Sequence, residues 1–163
     1  MIGLSFTMSD LLITFRDAIR NSTEISDFCT DKYSKDLSVA VGADERREWG
    51  QNEAPFCVIV PEGMNTGMSQ GDLSFDFSFE LGILDSSFSD NDGDDIIDME
   101  GVYDIDAMAN LVIDLLQTHA GLYNAKADFI TVDFDTTFFP LHVANMSVTV
   151  QVDHVLGATQ TLG

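Results

Sequence analysis

Positive charge is what this 163-residue sequence has least of: 7 Lys and Arg stand against 28 Asp and Glu, a formal net charge of -21. A protein that grips nucleic acid needs clustered Lys and Arg on the phosphates, so a conventional DNA- or RNA-binding role is excluded. An anionic membrane surface is an equally poor partner. No run reaches the roughly 18 consecutive apolar residues of a membrane span, and the first residues lack the basic flank and apolar stretch of a signal peptide. Cysteine is scarce too. Cys29 and Cys57 form no CxxC, and on this reading they are reduced, cytosolic thiols. GxSxG, GxxxxGK[ST] and GxGxxG are all missing, as are HxH and HExxH. The sequence therefore predicts no enzyme, no cofactor and no zinc site.

Apolar residues make up 45% of the chain and aromatics 10%. That is enough to bury a core, and the length fits one domain spanning 1–163. The charge is unevenly placed. Residues 1–47 hold 8 acids and 6 basic residues, whereas residues 48–163 hold 20 acids and Lys126 alone as a cation.

Ser9 reads as the cap of a first helix, with Asp10 in its first turn and Leu11, Leu12, Phe15 and Ile19 as its apolar stripe. Arg16 and Arg20 suit its C-terminal half, and the helix is expected to stop around Asn21–Ser22. Residues 22–53 carry a weaker pattern, with a short strand over 37–41 ending at Gly42 and a loop over 43–53. Pro55 opens an apolar run, 56–60, that reads as a strand buried on both faces. Residues 62–71, rich in Gly, Met, Asn and Ser, read as a mobile loop. Over 73–83, Leu73, Phe75, Phe77, Phe79, Leu81 and Ile83 alternate with polar residues, which marks a strand with one buried face.

An acidic loop is expected over 85–101. Asp104 then reads as the cap of a second helix, with Ile105, Met108, Ala109, Val112, Leu115, Leu116 and His119 on one face and Gly121 as terminator. Two alternating strands follow. Ile130, Val132, Phe134 and Phe138 define one, and Met146, Val148, Val150 and Val152 the other, an antiparallel pair. The tail 157–163 reads as loose. The fold class expected is α+β: an antiparallel or mixed sheet of four to five strands, with two main helices packed on its apolar face.

Three groups of residues invite a functional reading. Asp90, Asp92, Asp94, Asp98 and Glu100 are candidate ligands for a hard cation, since calcium takes six to eight oxygens. Placing Gly93 at the sixth position of an EF-hand loop, however, puts Phe88 first and Met99 twelfth, and neither can ligate. A solvated acidic loop is the plainer reading. Arg46, Arg47 and Trp49 form a candidate contact patch. With six of the seven cations in the first 47 residues, copies of the chain are suited to a head-to-tail interface that closes into a ring. The third group is Asp76, Glu80, Asp133, Asp135 and Asp153, which stand on the outward sides of the alternating strands. Those sides carry no Lys or Arg between them. Like charges there oppose stability, so the acidity is either screened by salt or serves to repel a polyanion such as duplex DNA.

The order of elements around "EAPFCVIV", "LSFDFSFELGIL", "DIDAMANLVIDLLQTH" and "FFPLHVANMSVTVQV" resembles the tail terminator (tail completion) proteins of tailed bacteriophages over residues 8–155. The chain departs from them in its acidic loop 85–101 and its Met/Gly loop 62–71. The resemblance implies a small α/β subunit that assembles as a hexameric ring on the head-proximal end of the tail tube. Such a ring stops tube polymerisation, joins the head connector and lets DNA through its centre. Expected partners are further copies of the chain, the tail tube protein, head–tail connector proteins and the sheath where one exists. DNA passes without specific binding, and no membrane is involved. The implied location is the virion tail or neck, with assembly in the host bacterial cytoplasm. The family brings no catalytic residues. Within the same neck a head-completion or connector protein is the alternative, and an acidic calcium-binding module or a salt-adapted protein the alternatives from other classes.

Overall fold

The computed structural model describes residues 7–42, 49–66, 73–90 and 97–152. Helix α1 (Met8–Asn21) starts two residues earlier than a cap at Ser9 would place it. Thr7 is the cap: its hydroxyl accepts from the Asp10 N–H, and the Asp10 carboxylate accepts from the Thr7 N–H at 2.7 Å. This reciprocal pair satisfies two backbone donors that a helix start leaves open. Leu11, Leu12, Phe15 and Ile19 are buried as the stripe predicts. Ser22, in an extended conformation, ends α1 and caps the next helix, α2 (Thr23–Tyr33), by accepting from the Ile25 N–H. Helix α2 was not legible in the sequence. Its buried face consists of Ile25 and Cys29 alone, too little to produce a helical period.

The strands expected over 56–60 and 73–83 form with longer limits, and the one expected over 37–41 is one residue shorter. Strand β1 (Ser38–Val41) ends at Gly42, whose φ of +87° is a conformation that side chains disfavour. Strand β2 (Phe56–Thr66) runs through Pro61 into the segment expected to be a loop, with a register shift between Pro61 and Gly63. Strand β3 (Leu73–Leu84) buries the six alternating apolar side chains. Fully burying one such side chain is worth about 1.5–3 kcal/mol.

The expected acidic loop contains a small ribbon instead. Strand β4 (Phe88–Asp90) pairs antiparallel with β5 (Ile97–Met99). Helix α3 (Glu100–Ala120) begins directly after β5, four residues before Asp104, which lies inside the helix. There Asp104 accepts a hydrogen bond from the Tyr33 hydroxyl and pairs with Lys32 at 3.1 Å. Gly121 does not turn the chain. It continues with φ -58° into a 3-10 turn, and the left-handed residue that reverses direction is Asn124. Strands β6 (Ala125–Asp135) and β7 (Leu141–Val152) complete the main sheet; β6 starts before the expected Ile130 and ends before Phe138, which lies exposed in the turn that follows, so Phe138 is not part of the strand.

The main sheet has the order β1-β2-β3-β7-β6; β1 lies parallel to β2, and the other pairs are antiparallel. This is the α+β class expected, with three α-helices among the described residues rather than two. One core joins α1, α2 and α3 to one face of the sheet: Phe15 lies edge-on to Phe77 at 5.6 Å, and Met108, Val112 and Leu116 are buried with Met146, Val148 and Val150. Cys29 and Cys57 are free and buried in that core. Among the described residues no helix is long and apolar enough to cross a membrane.

Candidate functional site

The face of the sheet away from the helices gathers the carboxylates. Since β3 sends Phe75, Phe77 and Phe79 inward, its even-numbered residues Asp76, Ser78 and Glu80 point the other way. The register carries the same sidedness across the sheet: Glu80 pairs with Asn145, and Asn145 with Asp133. Glu80 and Asp133 are thus two strands apart on one face, with backbones about 10 Å from each other. Asp135 follows on the same side, opposite Val143. Four of the five proposed carboxylates, Asp76, Glu80, Asp133 and Asp135, therefore share one face that no helix among the described residues covers. Asp153 and His154 lie outside the described residues.

These carboxylates are held differently. Asp76 accepts from the Thr149 hydroxyl at 2.7 Å and from the Asn65 amide at 3.2 Å. Two strands thereby hold its two oxygens. Glu80 stands between Val58 and Asn145 in register, and partial burial raises its pKa above the usual carboxylate value. Asp135 is held below the usual value by hydrogen bonds from the Thr137 side chain and then its backbone N–H, the latter at 2.8 Å. Glu62, which the sequence reading left in a loop, joins the face by accepting from the Ser78 hydroxyl at 2.7 Å. The two-residue alternation stops at the β2 irregularity, so no sequence signal pointed to it.

Two corrections to the expected acidic face follow. First, β6 begins at Ala125, so Lys126, opposite Gln151, brings a cation to this side. Second, the end of the face nearest Pro55 is apolar. Phe56, Val58, Leu141 and Val143 are buried there with Ala54, and Trp49 and Val60 pack against them. The Trp49 ring lies 5.5 Å from Phe56, so much of its surface serves this second cluster. What remains of Trp49 lines a cleft of about 400 Å³ with Arg20, Asp36, and Ser38, Val39 and Ala40 of β1. Arg46 and Arg47 lie outside the described residues.

Of the candidate cation ligands, Asp92 and Asp94 are outside the described residues and Asp90 ends β4. Asp98 stands opposite Ser89 in the ribbon, and Glu100 opens α3. No group of three His, Cys, Asp or Glu side chains placed to hold a metal ion occurs among the described residues. His119 bonds through Nδ1 to the Leu115 carbonyl at 2.9 Å. His142 is fully buried beneath the first turn of α3, its Nε2 3.0 Å from the Asp85 carbonyl. Nothing in the sequence marked that burial, because His142 precedes the alternating part of β7.

No family model matches this sequence, and no curated protein matches it.

Proposed function

We propose that the chain is a structural subunit of a phage tail or neck, a tail-terminator-like protein whose copies form a ring around the path of the DNA. The observation that carries this reading is the placement of Asp76, Glu80, Asp133 and Asp135 on the one face of the sheet that no helix among the described residues covers. Fixed negative charge on such a wall repels phosphate over roughly a Debye length, about 8–10 Å at physiological salt. A polyanion near it slides instead of binding, which is the reverse of the counterion-releasing grip of a DNA-binding protein. Copies that are each strongly acidic need a contact that offsets their repulsion. The cation-bearing first 47 residues, Arg46 and Arg47 included, supply it to a neighbour in a head-to-tail arrangement. In the family the chain resembles, six copies close the ring, which then caps the tube, ends its growth and meets the head connector.

Electron microscopy of the purified chain, alone and mixed with tail tube protein, tests the proposal. Annular particles, or rings seated on tube ends, are the expected result. A chain that stays monomeric in both samples ends it.

A further inference from the structure

The β4–β5 ribbon presents an apolar surface that stays largely exposed among the described residues. In its register Phe88 faces Met99, and Ile97, opposite Asp90, is two pairs along on the same side; Ser89 and Asp98 take the other side. Phe88 is 55% exposed and Ile97 69%. The Phe139 ring, itself 38% exposed, lies 5.5 Å from that of Phe88 and extends the surface towards the start of β7. A two-stranded ribbon of three residue pairs is marginal by itself. This one is tethered at its back: Asp98 accepts from the Tyr103 hydroxyl of α3, and the Glu100 N–H donates to the Ser87 carbonyl at 3.0 Å. The tether fixes the ribbon but leaves its apolar side open. Contiguous exposed aromatic and aliphatic side chains on an otherwise highly charged protein mark an interaction surface.

We propose that this side of the ribbon docks a segment of a different protein, one that carries apolar side chains flanked by Lys or Arg. Charge selects that occupant. Asp90 stands opposite Ile97 in the ribbon's register, and the sequence from Asp85 to Asp106 is rich in Asp and Glu and contains no Lys or Arg. An uncharged partner leaves those carboxylates desolvated without compensation, and an acidic one is repelled. A second copy fits poorly, because it brings a formal charge of -21. Two of its cations, Arg16 and Lys32, are already paired with Asp17 and Asp104. The proposal goes beyond the ring reading and does not depend on it, since a monomer presents the same surface.

The test uses the full chain and two short synthetic peptides, one alternating Leu and Lys and one alternating Ser and Lys at the same charge. Binding is followed by anisotropy of the labelled peptide. The Leu/Lys peptide is expected to bind the unaltered chain, with the Ser/Lys peptide at least about tenfold weaker, as loss of an apolar anchor implies. Phe88→Ser combined with Ile97→Ser is expected to weaken the Leu/Lys peptide by a similar factor. Both positions are more than half exposed, so the melting temperature should stay where it is. Ile97→Lys, a single change on the same side, is the second variant and should weaken binding in the same direction. Equal binding of both peptides, equal binding to the altered chains, or no binding at low ionic strength overturns the proposal. So does sedimentation showing that the unaltered chain self-associates through this side and that Phe88→Ser/Ile97→Ser abolishes it.

Discussion

The ring of Phe56 occupies the space where a side chain on Gly82 would begin: a Cβ built there meets the ring at 2.3 Å. The two residues are register partners on β2 and β3, and Phe56 is fully buried. Gly101 stands in the same relation to His142, at 2.2 Å. Gly82→Ala and Gly101→Ala are each expected to destabilise the fold by about 1–3 kcal/mol, the usual cost of overpacking. Gly63→Ala, at the irregular part of β2 where nothing lies within 4 Å, should instead gain up to about 1 kcal/mol through the unfolded chain. Urea unfolding of the three variants checks both signs.

Glu80 yields a pH prediction of definite sign. Its pKa is raised in the fold from 4.5 by burial, so the folded state holds the proton more tightly than the unfolded one. The stabilising protonated form is fully present below about pH 4.5 and is lost as pH rises through the folded value. Glu80→Gln should therefore raise the melting temperature at pH 7 and make less difference near pH 4. An equal effect at both pH values would show that the side chain's charge is not what costs stability.

The alkaline side should be steeper. Burial, then the charge of Asp36, pushes the Cys29 thiol up to about 12, and burial raises Cys57 strongly as well. Tyr33 is raised by burial first and then by Asp104. All three keep their protons when folded. Unfolded, the thiols release theirs from about pH 9 and the phenol from about pH 10. Stability is thus complete below pH 9 and falls as pH rises beyond it. The urea midpoint should drop across this range, and Cys57→Val should make the drop shallower. Thiol reagents should label both cysteines only as the chain unfolds.

Tyr33 and Asp104 tie α2 to α3 across 71 positions of sequence, with Lys32 on the second carboxylate oxygen. Tyr33→Phe should cost about 1 kcal/mol, and Asp104→Asn more, since it strips both partners of a charge-assisted bond. A double-mutant cycle should return a coupling of about 0.5–3 kcal/mol. Additivity would show that the two helices are held by packing alone.

What the sequence discloses of this molecule follows from which forces act locally. The alternation from Leu73 to Ile83 is a direct print of a half-buried strand, and the stripe Leu11, Leu12, Phe15, Ile19 of a half-buried helix. The sidedness of Asp76, Glu80, Asp133 and Asp135 was readable for the same reason. Asp104 misleads because its partners lie 71 and 72 residues upstream, and locally it looks like a cap. Pro61 misleads for a different reason. Strand β1 pairs only with residues 56–59 of β2, so at Pro61 one side of β2 is an open edge, where a missing N–H costs little. The ribbon was hidden because Asp and Asn between Phe88 and Ile97 read as a loop. The apolar end of the sheet's outer face depends on Phe56 meeting Gly82, a contact between strands that no single segment displays.

The edge-on contact of Phe15 with Phe77 sets an order of events for the chain as it is made. Phe15 of α1 waits for Phe77, some sixty residues downstream, and α2 for α3, which is further still. At 5–20 residues per second, a ribosome needs roughly 3–12 s to deliver Phe77. For that interval α1 has only β1 and β2 to lie on, and the ring of Phe15 is without its partner on β3.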